Sequence, residues 1–263
     1  MPIAVSGLAI TAVKATRLRA VDTITLGATG VRENRRFFLI DSRDRMVNAT
    51  NIAEFEQVVA DYDDGNRWLV LTFPDGRVLE GPVELGEEIE TRFYSDPLPA
   101  RLVIGPWAEA LSGLTGKPLR MVEPDDAGAV DRRDHGGAVS LISRASLERL
   151  AEAGGQRVVD SRRFRMLIEI DGVSAHEEDD WVGHAVRIGD ATVEFMGHVG
   201  RCLITSRNPE SGAIDLPTLE ILRGYRKDAK TSEPLPFGIY GRVLHAATVR
   251  VGDMVSPLDD LPE

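Results

Sequence analysis

Gly197-His198-Val199-Gly200-Arg201-Cys202-Leu203-Ile204-Thr205-Ser206-Arg207-Asn208-Pro209-Glu210-Ser211-Gly212 is the stretch on which the reading of this chain turns. It holds the single cysteine of a 263-residue sequence. One cysteine excludes an intrachain disulfide framework and any cysteine-cluster zinc or iron–sulfur site. The thiol is then either a small apolar residue of the core or a reactive or metal-ligating group, which needs positive charge or a metal nearby to favour the thiolate. Read as a strand, the stretch sends Arg201 to the opposite face from Cys202. His198 shares the thiol's face but lies ~13 Å away at ~3.3 Å per residue. Local spacing therefore establishes no activation of the thiol, and both readings stand.

Outward from this stretch, composition narrows the function classes. The chain is 43% hydrophobic and 28% charged, ordinary for a globular protein. Its length allows one large domain or two small ones with a sizeable core. Lys+Arg number 31 and Asp+Glu 42, a formal net charge of −11. Such an acidic chain argues against nucleic acid and against anionic lipid as partners, since both require a basic footprint. No apolar run approaches the ~20 residues that span a bilayer. Met1 to Ala12 is mildly apolar with no positive residue ahead of it, unlike a secretory signal, so the cytoplasm is the expected location. The sequon Asn48-Ala49-Thr50 then has no expected role.

The pattern of elements is mostly β. Met1 to Ala12 reads as a first strand. Arg36 to Asp41 is a short apolar run ended by Ser42-Arg43-Asp44, a buried strand and turn. Trp68 to Phe73 and Arg77 to Glu80 flank Pro74-Asp75-Gly76 and predict a hairpin. Phe164 to Asp171, Val186 to Ile188, Ala191 to Phe195 and Val243 to Val251 predict further strands, ended by Gly-Asp or Asp-Gly pairs. Helices are expected at Pro106 to Leu114, at Ser143 to Ala153 with Ser143 as N-cap, and at Pro217 to Tyr225. Short strands joined by turns, with isolated helices, predict a mainly β fold with α+β elements and a barrel-like architecture. Glu123 to Gly137, rich in Asp, Gly and Arg, reads as a connector, dividing the chain into residues 1–122 and 123–263.

Several motifs are missing. There is no dinucleotide-binding glycine fingerprint, no P-loop and no nucleophile elbow. His135, His176, His184, His198 and His245 form no pair at zinc-ligand spacing. Glu177-Glu178-Asp179-Asp180 lacks the spacing of a calcium loop and reads as a solvated turn before Trp181.

Gly200-Arg201-Cys202, Leu203 to Pro209, Ser211-Gly212 and Leu219…Tyr225-Arg226 together resemble the MOSC domain. That domain is named from the C-terminus of molybdenum cofactor sulfurases and occurs in the amidoxime-reducing components. Phe237-Gly238-Ile239-Tyr240 and Gly252-Asp253 fit the same pattern further on. Upstream, Ser140 to Leu147, Arg162-Arg-Phe-Arg165 and Glu178-Asp179-Asp180-Trp181 also resemble family segments. In the N-terminal part, Ala12-Val13-Lys14-Ala15 and Gly30 to Arg35 resemble the small β-barrel-like domain that precedes MOSC domains. Ala15, Asn34, Met166-Leu167 and Asn208 depart from the family pattern.

The resemblance implies a MOSC-type β-barrel over 123–263 after a smaller β-barrel-like domain over 1–122, and a molybdenum cofactor bound through a molybdopterin. Cys202 matches the cysteine that ligates molybdenum in the reductase branch, and a soft thiolate suits that metal. Lys14, Arg35, Arg165 and Arg226 match positions that would meet the anionic cofactor, and Ser146, at a helix start, would add a hydroxyl or amide contact. Pyridoxal phosphate is not expected. The activity implied is a molybdenum-dependent oxidoreductase reducing N-hydroxylated or related small substrates. Its electrons would come from a separate ferredoxin- or flavin-type protein, because the chain lacks cofactor motifs of that kind. Two alternatives remain: a sulfur carrier, sulfurtransferase or C–S bond enzyme that loads a Cys202 persulfide from a cysteine desulfurase, and a non-catalytic module that binds a pterin or another anion.

Overall fold

The computed structural model describes residues 2–50, 52–125 and 137–258. Most of the expected connector, and His135 within it, therefore lies outside the described residues, next to the expected division at 122/123. The fold is mainly β, with three α-helices among the described residues: α1 (Trp107–Thr115), α2 (Arg144–Ala153) and α3 (Thr218–Arg226).

The C-terminal half is organised by an eight-stranded sheet. Its spatial order is Val255–Pro257, Ala185–Ile188, Ala191–Gly200, Pro236–His245, Val139–Ser143, Ile168–Asp171, Ala4–Ile10 and Arg19–Val21. The hairpin around Gly189-Asp190 forms as expected. Along Ala191–Gly200, Ala191, Val193 and Phe195 are buried while Thr192, Glu194 and Met196 are not, the alternation that pleating imposes. These inward residues pack with Leu8, Ile10, Leu141, Ile168, Ile170, Ile188 and Ile239 into one core. The first strand, Ala4–Ile10, belongs to this C-terminal sheet, pairing antiparallel with Ile168–Asp171.

No ladder among the described residues closes the sheet into a continuous barrel. The sheet nonetheless curls back on itself. Val5 N–H donates to the Asp253 carbonyl at 2.8 Å, Gly252 N–H to the Val5 carbonyl at 2.8 Å, and Val255 N–H to the Ile3 carbonyl at 2.9 Å. Gly252 makes this closing turn at φ +94°, and a Cβ there would meet no atom within 4 Å. Gly252→Ala therefore isolates the backbone cost of left-handed conformation. It is expected to destabilise by about 1–2 kcal/mol with an unchanged urea m-value.

The N-terminal half has its own core. Phe37, Leu39, Phe55, Leu69, Leu71, Trp107 and Leu111 form it, with Phe37 edge-on to Tyr62 at 4.9 Å. The predicted hairpin appears as Trp68–Thr72 paired with Val78–Pro82. A longer hairpin, Glu84–Phe93 with Asp96–Ile104, joins the sheet containing Phe38–Ile40 and Arg120–Pro124.

Two predicted strands differ from the structure. Phe164 to Asp171 is a 3-10 turn, Ser161–Phe164, followed by the strand Ile168–Asp171, because Arg165 between them takes φ 56°. Val243 to Val251 spans the end of one strand, Pro236–His245, and a second, Ala247–Arg250, which leaves the large sheet to pair with Thr23–Leu26.

Candidate functional site

Cys202 is exposed. The strand Ala191–Gly200 ends two residues before it, and Cys202 is extended, at φ −124° and ψ 178°. Its carbonyl accepts from Thr205 N–H at 3.1 Å and from Thr205 Oγ1 at 3.0 Å, starting the 3-10 turn Leu203–Ser206. The thiol is thus carried off the sheet instead of into its core, and the reading of Cys202 as a buried apolar residue fails. Strand alternation also fails here. The pairing of this strand with Pro236–His245 slips between Phe195 and Gly197 and again between His198 and Gly200. His198 is buried, its Nδ1 lying 3.1 Å from Ser232 Oγ, and it is not among the residues that line the thiol's cleft.

The thiol opens into a cleft of about 370 Å³, the size range of a small-molecule site. Both halves of the chain build it. Lys14, Ala15, Arg35, Asn48, Thr50 and Tyr94 line it from the N-terminal half. Ser140, Phe164, Arg165, Met166, Arg201 and Tyr240 line it, with Cys202, from the C-terminal half. Among the described residues, four cationic side chains line the cleft and no Asp or Glu does. In a chain of net charge −11 that is a pronounced local reversal of sign.

Each cation is held by neighbouring groups. Lys14 is anchored through its N–H, which donates to the Phe37 carbonyl at 2.7 Å, and its Nζ lies 5.2 Å from the Phe93 ring centroid. Arg35 Nη2 donates to the Arg165 carbonyl at 2.6 Å. Arg165 Nη2 donates to the Thr16 carbonyl at 2.7 Å, and its Nη1 lies 3.2 Å from Glu56 Oε1. Arg201 donates through Nε to the Phe237 carbonyl and through Nη1 to the Phe164 carbonyl, both at 2.8 Å. Its Nη2 sits 3.0 Å from Met166 Sδ. Gly238 leaves room for this group, since a Cβ at its φ of +82° would come within 2.7 Å of the Leu141 carbonyl and of Met166 Cε.

Backbone strain concentrates at the same place. Among the described residues, eight non-glycine residues have positive φ, and four of them line the cleft: Ala15 at 84°, Arg35 at 51°, Tyr94 at 57° and Arg165 at 56°. Left-handed conformation costs a non-glycine residue roughly 1–2 kcal/mol. It persists where surrounding structure enforces it, and such sites cluster at binding and catalytic centres.

Two residues expected at the site lie elsewhere. Ser146 is fully buried on the first turn of α2, whose N-cap is Ser143 as expected. Its Oγ donates to Glu178 Oε1 at 2.7 Å and accepts from His176 N–H at 2.8 Å. Arg226 is buried at the end of α3, paired with Asp179, and its Nε donates to the Pro236 carbonyl at 3.3 Å. Neither lines the cleft. Both are absorbed by the acidic run Glu177 to Asp180, which is correspondingly not the solvated turn expected. The 3-10 turn Glu177–Trp181 rotates Glu178 inward to zero exposure beneath α2 and turns Asp179 onto Arg226.

The cleft also contains residues that the sequence did not single out. Arg201 was placed by alternation on the far face, and the bulges bring it in. Tyr94 occupies the two-residue turn of a hairpin, where nothing local marks it. Asn48 and Thr50 carry only a chance sequon. Their one shared signal is tertiary.

Comparison with known proteins gives this geometry a family. The model of the family described as "MOSC domain" matches residues 131–256. Mitochondrial amidoxime reducing component 2 of Rattus norvegicus is 36% identical over 129 residues, 46% of this chain and 37% of that protein. Mitochondrial amidoxime-reducing component 1 of Xenopus laevis is 35% identical over 124 residues, 44% of this chain and 35% of that protein. The chain thus matches little more than a third of the length of these relatives. Among solved structures, the YUAD protein of Bacillus subtilis aligns over 97% of this chain and 94% of its own at 10% identity, with a TM-score of 0.44. No helix among the described residues is long and apolar enough to cross a membrane. The exposed cysteine lines a cationic cleft, and residues 131–256 match the MOSC domain, a family associated with the molybdenum cofactor.

Proposed function

We propose that the cleft holds a molybdenum cofactor through Cys202, and that the protein is an oxidoreductase for small N-hydroxylated or related molecules, supplied with electrons by a separate protein. The observation that carries this reading is the coincidence of an exposed thiol with four cationic side chains and no acidic lining in one cleft of an acidic chain. The donor set fits the group. A thiolate is a soft ligand suited to a soft metal centre. Arginine forks suit phosphate, and lysine supplies a point charge. The curated relatives named as amidoxime reducing components support the same substrate class.

When bound, the cofactor supplies two-electron redox chemistry that no side chain can provide. The chain's own part is positional. Cys202 offers the thiolate. Lys14, Arg35 and Arg165 offset the cofactor's negative charge, and Arg201 braces Phe164 and Met166 in the wall. Tyr94 and Tyr240 contribute aromatic surface to the lining. In this reading residues 1–122 contribute charge and one aromatic wall, and residues 123–263 contribute the ligand.

The test is elemental and pterin analysis of the full chain produced with cofactor synthesis intact. Near-stoichiometric molybdenum and pterin are expected, with molybdenum retention lost in Cys202→Ser. Absence of molybdenum from the wild-type protein sinks the reading.

The exposure of Cys202 also favours a second function, sulfur transfer, in which the thiolate attacks the outer sulfur of a desulfurase persulfide, breaking its S–S bond and releasing the desulfurase cysteine as a thiolate. Intact mass after incubation with a desulfurase and cysteine would then rise by one sulfur atom in the wild type and not in Cys202→Ser. An unchanged wild-type mass removes it.

A further inference from the structure

Glu56 does not line the cleft, yet it controls a residue that does. It lies in the 3-10 turn Ala53–Gln57 of the N-terminal half, only 3% exposed. Its Oε1 is 3.2 Å from Arg165 Nη1, and that ion pair joins the two halves of the chain. Arg17 Nε donates to the Glu56 backbone carbonyl at 2.9 Å and fixes the turn from behind. The charged groups acting on the carboxyl are, in order, Arg165, Arg17, Arg207 and Arg162. Four arginines would ordinarily hold a carboxylate well below its usual range. Burial outweighs them and pushes the Glu56 carboxyl up.

The geometry makes Arg165 a shared resource. One edge of its guanidinium is held by Glu56 and by the Thr16 carbonyl, while the residue forms part of the cleft lining. Its backbone carbonyl in turn holds Arg35 at 2.6 Å, so the aim of one arginine fixes the aim of the other. A carboxylate this close cancels part of the positive potential that the cleft offers an anion, while orienting the group that offers it.

We propose that Glu56 is a positioning residue of the cleft: its carboxyl aims Arg165, and in its ionised form competes with a bound anion for that guanidinium's charge. This rests on the anion-binding part of the function proposed above. Two consequences follow from the sign of the charge. Protonating Glu56 strengthens anion binding, because the aiming contact survives while the competing charge is removed. By linkage, anion binding makes Glu56 hold its proton more tightly.

The experiment uses the full chain produced without cofactor synthesis, titrated with sulfate at constant ionic strength across a series of pH values. Sulfate keeps its charge over the range in which a carboxyl titrates. The cleft's other titratable side chains are common to all variants, so differences between profiles report Glu56. Wild-type affinity is expected to fall as pH rises through the Glu56 titration. Glu56→Gln keeps an oxygen to accept from Arg165. It is expected to match the wild type at the acid end and to bind roughly tenfold tighter at the alkaline end, the size of a one-unit like-charge effect. Its own profile should lack the fall that Glu56 causes. Glu56→Ala, which loses the aim as well, should bind more weakly than Glu56→Gln at every pH.

A purely structural Glu56 would make both variants weaker and leave the pH profile unmoved, and that result overturns the inference. So does a Glu56→Gln profile that follows the wild type. If the wild type binds sulfate at no pH, the anion-binding cleft itself is wrong, and the inference falls with it. A wild type that binds sulfate but takes up no molybdenum leaves Glu56's role standing and removes only the cofactor.

Discussion

Replacing Glu178 by alanine is expected to destabilise the protein by roughly 3–5 kcal/mol, the range for uncompensated buried polar groups of this kind. Glu178 is fully buried and accepts three hydrogen bonds: from Ser143 N–H at 3.1 Å, Ser143 Oγ at 2.8 Å and Ser146 Oγ at 2.7 Å. Those donors also form the N-terminal cap of α2, since Ser146 N–H donates to Ser143 Oγ at 3.1 Å. Alanine would leave a backbone donor and two hydroxyls without partners in a dry space. Glu178→Gln preserves shape and one acceptor, and the serine hydroxyls can turn to accept from its amide, so a loss of about 1 kcal/mol is expected.

Burial pushes the Glu178 carboxyl up, with the hydrogen bonds from Ser146 and Ser143 opposing the shift only in part. A carboxyl that binds its proton more tightly in the folded state contributes stability that is fully present at low pH. That contribution is lost as pH rises through the folded-state titration. The glutamine variant lacks this slope. Urea denaturation of the three proteins at several pH values measures both effects, and a Glu178→Ala protein as stable as Glu178→Gln would refute the account.

Arg165→Met is expected to cost about 3 kcal/mol and to abolish most anion binding in the same step. It removes one of the four cations of the cleft and leaves Glu56, 3% exposed, without its nearest counter-charge. Because burial already raises the Glu56 carboxyl, loss of the guanidinium that most opposes that rise sends it higher still. The stability of Arg165→Met should therefore fall more steeply with rising pH than that of the wild type. In the double variant Glu56→Gln/Arg165→Met that extra slope should vanish and part of the stability should return, whereas anion binding should not. A double-mutant cycle run on both stability and sulfate affinity separates the two roles. Strict additivity in stability would mean that the 3.2 Å pair does not couple the residues.

Legibility in the sequence was uneven, and the unevenness has a physical pattern. α2 was readable to its cap, because Ser143 and the spacing of Leu147 and Leu150 are local signals. The hairpins at Gly189-Asp190 and Pro74-Asp75-Gly76 were readable for the same reason. Phe164 to Asp171 was misread as one strand because an arginine held at φ 56° by tertiary contacts carries no local mark. The acidic run Glu177 to Asp180 looked solvated, because charge runs usually face water. Nothing local says that Ser143, Ser146 and Arg226, each more than thirty residues away, will enclose it.

At the site the division is the same. The residues around Cys202 and the matches at Lys14, Arg35 and Arg165 were visible in the chain as a family pattern. A thiol and a few cations, however, acquire chemistry only from where they sit. The sequence alone determined the composition, the charge, the alternation of the strands and the motif around the single cysteine, since each is a property of neighbours along the chain. Only the tertiary structure decided that Cys202 is exposed, that Ser146 and Arg226 belong to a buried network, and that Tyr94 and Arg201 join the cleft. It also placed Glu56 behind Arg165. Those outcomes depend on slipped strand pairing and on contacts between residues as much as 149 positions apart. No window on the sequence spans them.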